Sequence, residues 1–75
     1  MIDYAIVDAF VEKYKNELTV DDGFPGIIGT ENAGDSTYIL LDSGGFEEDE
    51  FVHLKAYFPE FNLGYDDMKD AIILS

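Results

Sequence analysis

The run Tyr38-Ile39-Leu40-Leu41 sets four large apolar residues in succession near the middle of a 75-residue chain. Successive side chains of a strand point to opposite sides, so Tyr38 and Leu40 face one way and Ile39 and Leu41 the other. A strand that is apolar on both faces is usually central and covered on both sides. Thr37 to Asp42, "TYILLD", is therefore predicted as a central strand. The remaining residues must supply its neighbours and its cover.

Residues 3–18, "DYAIVDAFVEKYKNEL", supply a helix. Ile6, Phe10 and Tyr14 recur at i, i+4 and i+8, and Val7, Val11 and Leu18 widen the stripe. Asp3 fits an N-cap, while Lys13 and Lys15 lie towards the negative end of the helix dipole. Asp22-Gly23 then signals a turn. Ile27 and Ile28 begin a short strand, and Glu31 to Ser36, "ENAGDS", read as the polar loop of a hairpin leading into "TYILLD".

Residues 47–58 admit two readings. As a helix, Phe51, Leu54 and Phe58 form a stripe supported by Val52 and Ala56; as a strand, Val52, Leu54, Ala56 and Phe58 alternate with His53, Lys55 and Tyr57. Helix is preferred, because Glu and Asp are poor strand formers and acids in a first turn meet the positive end of the dipole. Pro59 disfavours helix at Phe58 and ends the element. "GYDDMKD" reads as a short helical turn and "AIILS" as a closing strand or buried tail. The order α-β-β-α-(α)-β predicts one small α+β domain over residues 1–75, with a short antiparallel sheet of two to four strands.

Charge narrows the function. Seventeen acids face four lysines, no arginine and one histidine, a formal net charge of −13. Nucleic-acid binding needs cations to neutralise phosphates, and an anionic membrane surface would repel the chain equally. A basic protein surface or a divalent cation remains attractive. With 47% hydrophobic residues, among them five Tyr and six Phe, the chain can build a core and escapes the signature of disorder. It contains no cysteine, which suits a reducing compartment. With neither a signal-peptide pattern nor an apolar run approaching ~20 residues, the expected location is cytoplasmic.

Catalytic chemistry finds little to work with. His53 is the one histidine, no G-x-S-x-G surrounds a serine, and carboxylate pairs are expected by chance among so many acids, so no enzyme is expected. His53 reads as a partly exposed helix residue. EF-hand spacing fails from Asp42, which puts His53 at position 12, and from Asp21, which matches only the glycine at position 6. No cofactor and no dedicated metal site is expected.

The acids gather as Asp21-Asp22, Glu31 with Asp35, Glu47-Glu48-Asp49-Glu50, and Asp66, Asp67 and Asp70. These eleven form the predicted partner-binding set. On a helix, residues three or four apart are neighbours, so Glu47 can pair with Glu50 and Asp66 with Asp70. Carboxylates at such spacings can imitate phosphates, and they accept bidentate contacts from Arg. Four lysines are too few to neutralise them internally.

The stretches "TYILLDS" leading into "EEDEFVHLKAYF", and "YDDMKDAIILS" at the end, resemble in layout and charge the small acidic phage proteins that act as nucleic-acid mimics, especially the anti-CRISPR inhibitors of RNA-guided nucleases. The ending "AIILS" is also similar to that of barstar, the acidic ribonuclease inhibitor. Both resemblances imply a stoichiometric acidic inhibitor of a basic nucleic-acid-binding protein, such as a nuclease; from the charge no direct nucleic-acid binding is expected, and a monomer or small homo-oligomer is expected. If the chain is phage-encoded, it would act in the host cytoplasm. Two alternatives stand beside this: an acidic adaptor or structural binding domain, and an acyl-carrier-like protein using Ser43. Asp42-Ser43 resembles the carrier Asp-Ser-Leu motif, but Gly44 stands in the apolar place and carriers are all-helical.

Overall fold

The computed structural model describes residues 3–18, 23–42 and 47–75. Their elements run α1 (Tyr4–Glu17), β1 (Ile27–Ala33), β2 (Ser36–Leu41), α2 (Glu48–Tyr57), β3 (Leu63–Asp66) and β4 (Ala71–Leu74). The strands form one antiparallel sheet in the order β1-β2-β4-β3. This is the expected α+β class, with "TYILL" central and four strands in the sheet.

Helix α1 starts where Asp3 caps it: the carboxylate accepts the Ala5 N–H at 2.9 Å, satisfying one of the donors left orphaned in a first turn. Its buried stripe is Val7, Phe10, Tyr14 and Leu18, with Val11 half-buried beside it. At 3.6 residues per turn these four fall within an arc of roughly 80°. Ile6 lies off its edge and is 46% exposed, so the expected Ile6-Phe10-Tyr14 stripe is shifted around the helix towards Val7.

The hairpin is tighter than "ENAGDS" implied. Glu31, Asn32 and Ala33 belong to β1, Ser36 opens β2, and the loop is Gly34-Asp35 alone, with Ala33 opposite Ser36. Gly34 has φ +67°, which a two-residue hairpin of the glycine-first kind requires and which a side chain would resist. A bulge between Ile27 and Gly29 interrupts the register at the start of β1.

Within 47–58 the chain is helical over Glu48–Tyr57, with Glu47 and Phe58 as its caps, as the acids and Pro59 favoured. Leu54 and Phe58 are buried and Phe51 is half-buried, its ring 5.7 Å from Tyr65. Val52, 63% exposed, and Ala56 contribute nothing to the core. The expected helical turn in "GYDDMKD" is instead the end of β3 and a four-residue turn. Asp66 Oδ1 accepts the N–H groups of Met68 at 2.9 Å and Lys69 at 3.2 Å. Asp70 adopts φ +50°, a left-handed conformation that aspartate tolerates better than most residues. "AIIL" is the closing strand, so the order is α-β-β-α-β-β.

Both helices cover one face of the sheet. Thr37, Ile39 and Leu41 of β2 and Ile72 and Leu74 of β4 are buried on that face, and the apolar ones join a single cluster with Phe10, Tyr14, Leu54 and Phe58. Phe10 is the hub, with ring centroids 5.0 Å from Phe58 and 5.4 Å from Phe61. Tyr14 donates its hydroxyl to the Pro25 carbonyl at 2.6 Å, and burial pushes its phenol well above the usual tyrosine range. On the other face Tyr38, Leu40 and Ile73 are half-buried and no described element lies over them. The expected cover on both sides of β2 is therefore corrected to one: the helices, and the core they build, lie on the same side. Lys69 crosses the open side, its ammonium 4.8 Å from the Tyr38 ring and 3.5 Å from the Glu31 carboxylate.

Phe10→Ala and Phe58→Ala should each lower unfolding free energy by about 3–5 kcal/mol, measured by urea denaturation. Ile6→Ala and Val52→Ala should stay within about 0.5 kcal/mol of the parent. Equal losses at Ile6 and Phe10 would contradict the placement of the stripe.

Candidate functional site

Glu47, Glu48, Asp49 and Glu50 are all exposed at the start of α2. Glu47 is the N-cap residue but makes no side-chain capping bond, and the other three fill the first turn, where the helix dipole favours them. The lysines do not neutralise them. Lys13 bridges Glu60 at 2.6 Å and Lys69 bridges Glu31. The ammonium groups of Lys13, Lys55 and Lys69 lie 5.1, 6.0 and 4.8 Å from the ring centroids of Phe58, Phe51 and Tyr38, within cation–π range. Cationic charge is thus drawn onto aromatic surface, that of Lys55 within α2 itself. Among the described residues, no salt bridge reaches the Glu47–Glu50 run.

One flank of the run opens on a hollow of about 300 Å³ lined by Gly23, Phe24, Asp49, Glu50 and His53. His53 follows Asp49 by four residues and Glu50 by three, so the three side chains share a helix face. The imidazole is exposed, as expected, with its centroid 6.1 Å from the Phe24 ring and 5.3 Å from Tyr57. A guanidinium entering here would meet carboxylates for bidentate bonds and aromatic rings to stack on.

The other acids of the set divide by role. Asp66 holds the β3–β4 turn, and Asp70, in the same turn, accepts the Tyr65 hydroxyl at 3.5 Å. The expected pairing of these two across a helical turn is absent because that stretch is not helical. Asp67 is exposed in the same turn, Asp35 is exposed in the β1–β2 turn, and Glu31 takes the Lys69 bridge. Asp21 and Asp22 lie outside the described residues, as does Ser43. The observed α+β architecture differs from the all-helical one of carriers, as the strand reading of "TYILL" anticipated. Glu60 is held below the usual glutamate range by the Lys13 hydrogen bond. A depressed carboxyl stabilises above the ordinary range, and that contribution is lost as pH falls through the lowered value.

Sequence reasoning passed over Asp8 and Glu12. They line a groove of about 410 Å³ between α1 and β1, with Val7 and Val11 on the helix side and Thr30 and Asn32 on the strand side. Asn32 anchors the groove: its amide donates to the Tyr4 hydroxyl at 2.5 Å, and its carbonyl accepts the hydroxyl of buried Thr37 at 3.1 Å. The i, i+4 spacing of Asp8 and Glu12, beside the apolar stripe, was the available signal. Among the described residues, no three His, Asp or Glu side chains gather to hold a metal ion, and no helix is long and apolar enough to cross a membrane.

No protein-family model matches the chain, and neither a curated protein nor a solved structure matches it at a significant level.

Asp66→Ala removes the acceptor of two backbone N–H bonds and should cost about 1–2 kcal/mol of stability, whereas Asp67→Ala should change it by less than about 0.5 kcal/mol. Thermal unfolding of the two variants side by side checks this. Equal effects would deny Asp66 its structural role.

Proposed function

We propose that the protein is an acidic inhibitor that occupies the nucleic-acid-binding surface of a basic protein, a nuclease or an RNA-guided nuclease, by presenting carboxylates where phosphates would lie. The observation that carries this reading is the Glu47–Glu50 run: four consecutive carboxylates, exposed at the N-cap and first turn of α2, with no lysine of the chain in salt-bridge range among the described residues. Mutual repulsion in such a run is unfavourable for the isolated protein, and a surface rich in Lys and Arg relieves it. The likeness to phage-encoded nucleic-acid mimics supports the same reading through layout and charge.

The test is displacement. Labelled duplex DNA or guide RNA is bound to each of a panel of basic nucleases and RNA-guided nucleases, and its release is followed by fluorescence anisotropy as the protein is added. One or more panel members should lose nucleic acid stoichiometrically. Association should slow as salt rises, because screening at ~0.15 M already shortens charge interactions to ~8 Å. The protein alone should leave the nucleic acid unbound. Tight binding of the protein to duplex DNA, or displacement indifferent to salt, would overturn the mimic. Binding to a nuclease with no loss of its nucleic acid would favour the acidic adaptor.

A further inference from the structure

The geometry points to the outer edge of β1 and the adjoining α1 groove as a docking site for an extended, lysine- or arginine-bearing segment of the partner, added to the sheet as a fifth strand. At seven residues β1 is the longest strand, yet it stands at the edge of the sheet, paired on one side only with β2. Edge strands are ordinarily kept short or blocked by lysine, proline or a bulge. Here the bulge ends at Gly29, and from Gly29 to Ala33 the strand has neither proline nor lysine; its one charged residue, Glu31, is drawn to Lys69 on the open face of the sheet, away from the α1 groove. A backbone laid along that edge would find unpaired ladder groups, the basis of strand-addition recognition.

The groove gives such a strand somewhere to put alternate side chains. It runs between α1 and the helix-covered face of β1, with buried Val7 and half-buried Val11 for apolar residues and exposed Asp8 and Glu12 for cations. These two carboxylates share one side of α1 and outnumber Lys15, the one cation lining the groove. Charge also selects the occupant. A second copy would bring another −13 against this surface, whereas a basic strand is attracted to it. The basicity of the partner rests on the inhibitor reading; the open edge and the groove do not.

The probe is a synthetic peptide, about as long as β1, that alternates lysine with valine or threonine, compared with the same peptide N-methylated on alternate amides. Amide hydrogen exchange and chemical shifts of the full chain are followed by NMR. The unmodified peptide should slow exchange within residues 29–33. N-methylation, which keeps the charge but removes ladder donors, should weaken binding by about tenfold or more. The double variant Asp8→Asn/Glu12→Gln should weaken it several-fold with an unchanged melting midpoint. Equal affinity for both peptides, changes confined to α2, no binding, or protection of 29–33 that grows with protein concentration in the free chain would each overturn the proposal, the last in favour of a second copy. Nucleic-acid displacement without edge protection would remove the edge and keep the inhibitor; edge protection with no displacement would do the reverse.

Discussion

The contact on which the rest of the structure depends is the meeting of Phe10 with Phe58. These rings, 5.0 Å apart and both fully buried, tie the middle of α1 to the end of α2 above Ile39 and Ile72 at the centre of the sheet. Burying one such side chain contributes about 1.5–3 kcal/mol, and an aromatic pair adds about 0.5–1.5 kcal/mol beyond its area. A domain's net stability is only about 5–15 kcal/mol, so the pair is a large share of what a 75-residue chain can gather. Because the helices meet each other as well as the sheet, they lie on the same face, and the second face of β2 is left to Tyr38, Leu40 and the stem of Lys69.

A core confined to one side sends the charge to the margins. Among the described residues most acids occupy turns, the first turn of α2 and the outward sides of α1, with Glu31 and Asp66 on strands, while three of the four lysines lie over aromatic rings. Cation–π contact, and for Lys13 and Lys69 a salt bridge as well, holds those lysines in place. The result is a protein whose positive charge supports its packing and whose negative charge faces outward. Folding and charge presentation therefore draw on largely separate residues.

Elements whose signals are local were legible in the sequence. Asp3 capped α1, the apolar run of β2 proved central, and the acids before Phe51 together with Pro59 delimited α2. What escaped depends on groups distant in sequence or on single torsions. The phase of α1 was decided by Phe58 and the sheet, which select Val7 over Ile6. The hairpin loop shrank because Gly34 adopts a positive φ. The strand "LGYD" was hidden because its register comes from β4 and its aspartate serves the turn. The same division holds for the acidic set. Glu47 to Glu50 lie together because they are consecutive, whereas the roles of Asp66 and Asp70, and the groove beside Asp8 and Glu12, exist only once the sheet has formed.

On the proposed function, the Glu47–Glu50 carboxylates serve binding and are dispensable for folding. The most direct measurement replaces all four at once, Glu47→Gln, Glu48→Gln, Asp49→Asn and Glu50→Gln, and reads partner affinity and melting midpoint on the same preparation. Losing the dipole interaction costs about 0.3–1 kcal/mol per site, and relief of the mutual repulsion among the four carboxylates offsets much of that loss, so the circular dichroism should be unchanged and the midpoint should fall by no more than a few degrees. Losing the members of desolvated charge pairs costs about 2–5 kcal/mol for each pair that is formed, so affinity should fall by orders of magnitude. A variant that binds as tightly as the parent, or one that unfolds, would contradict the account.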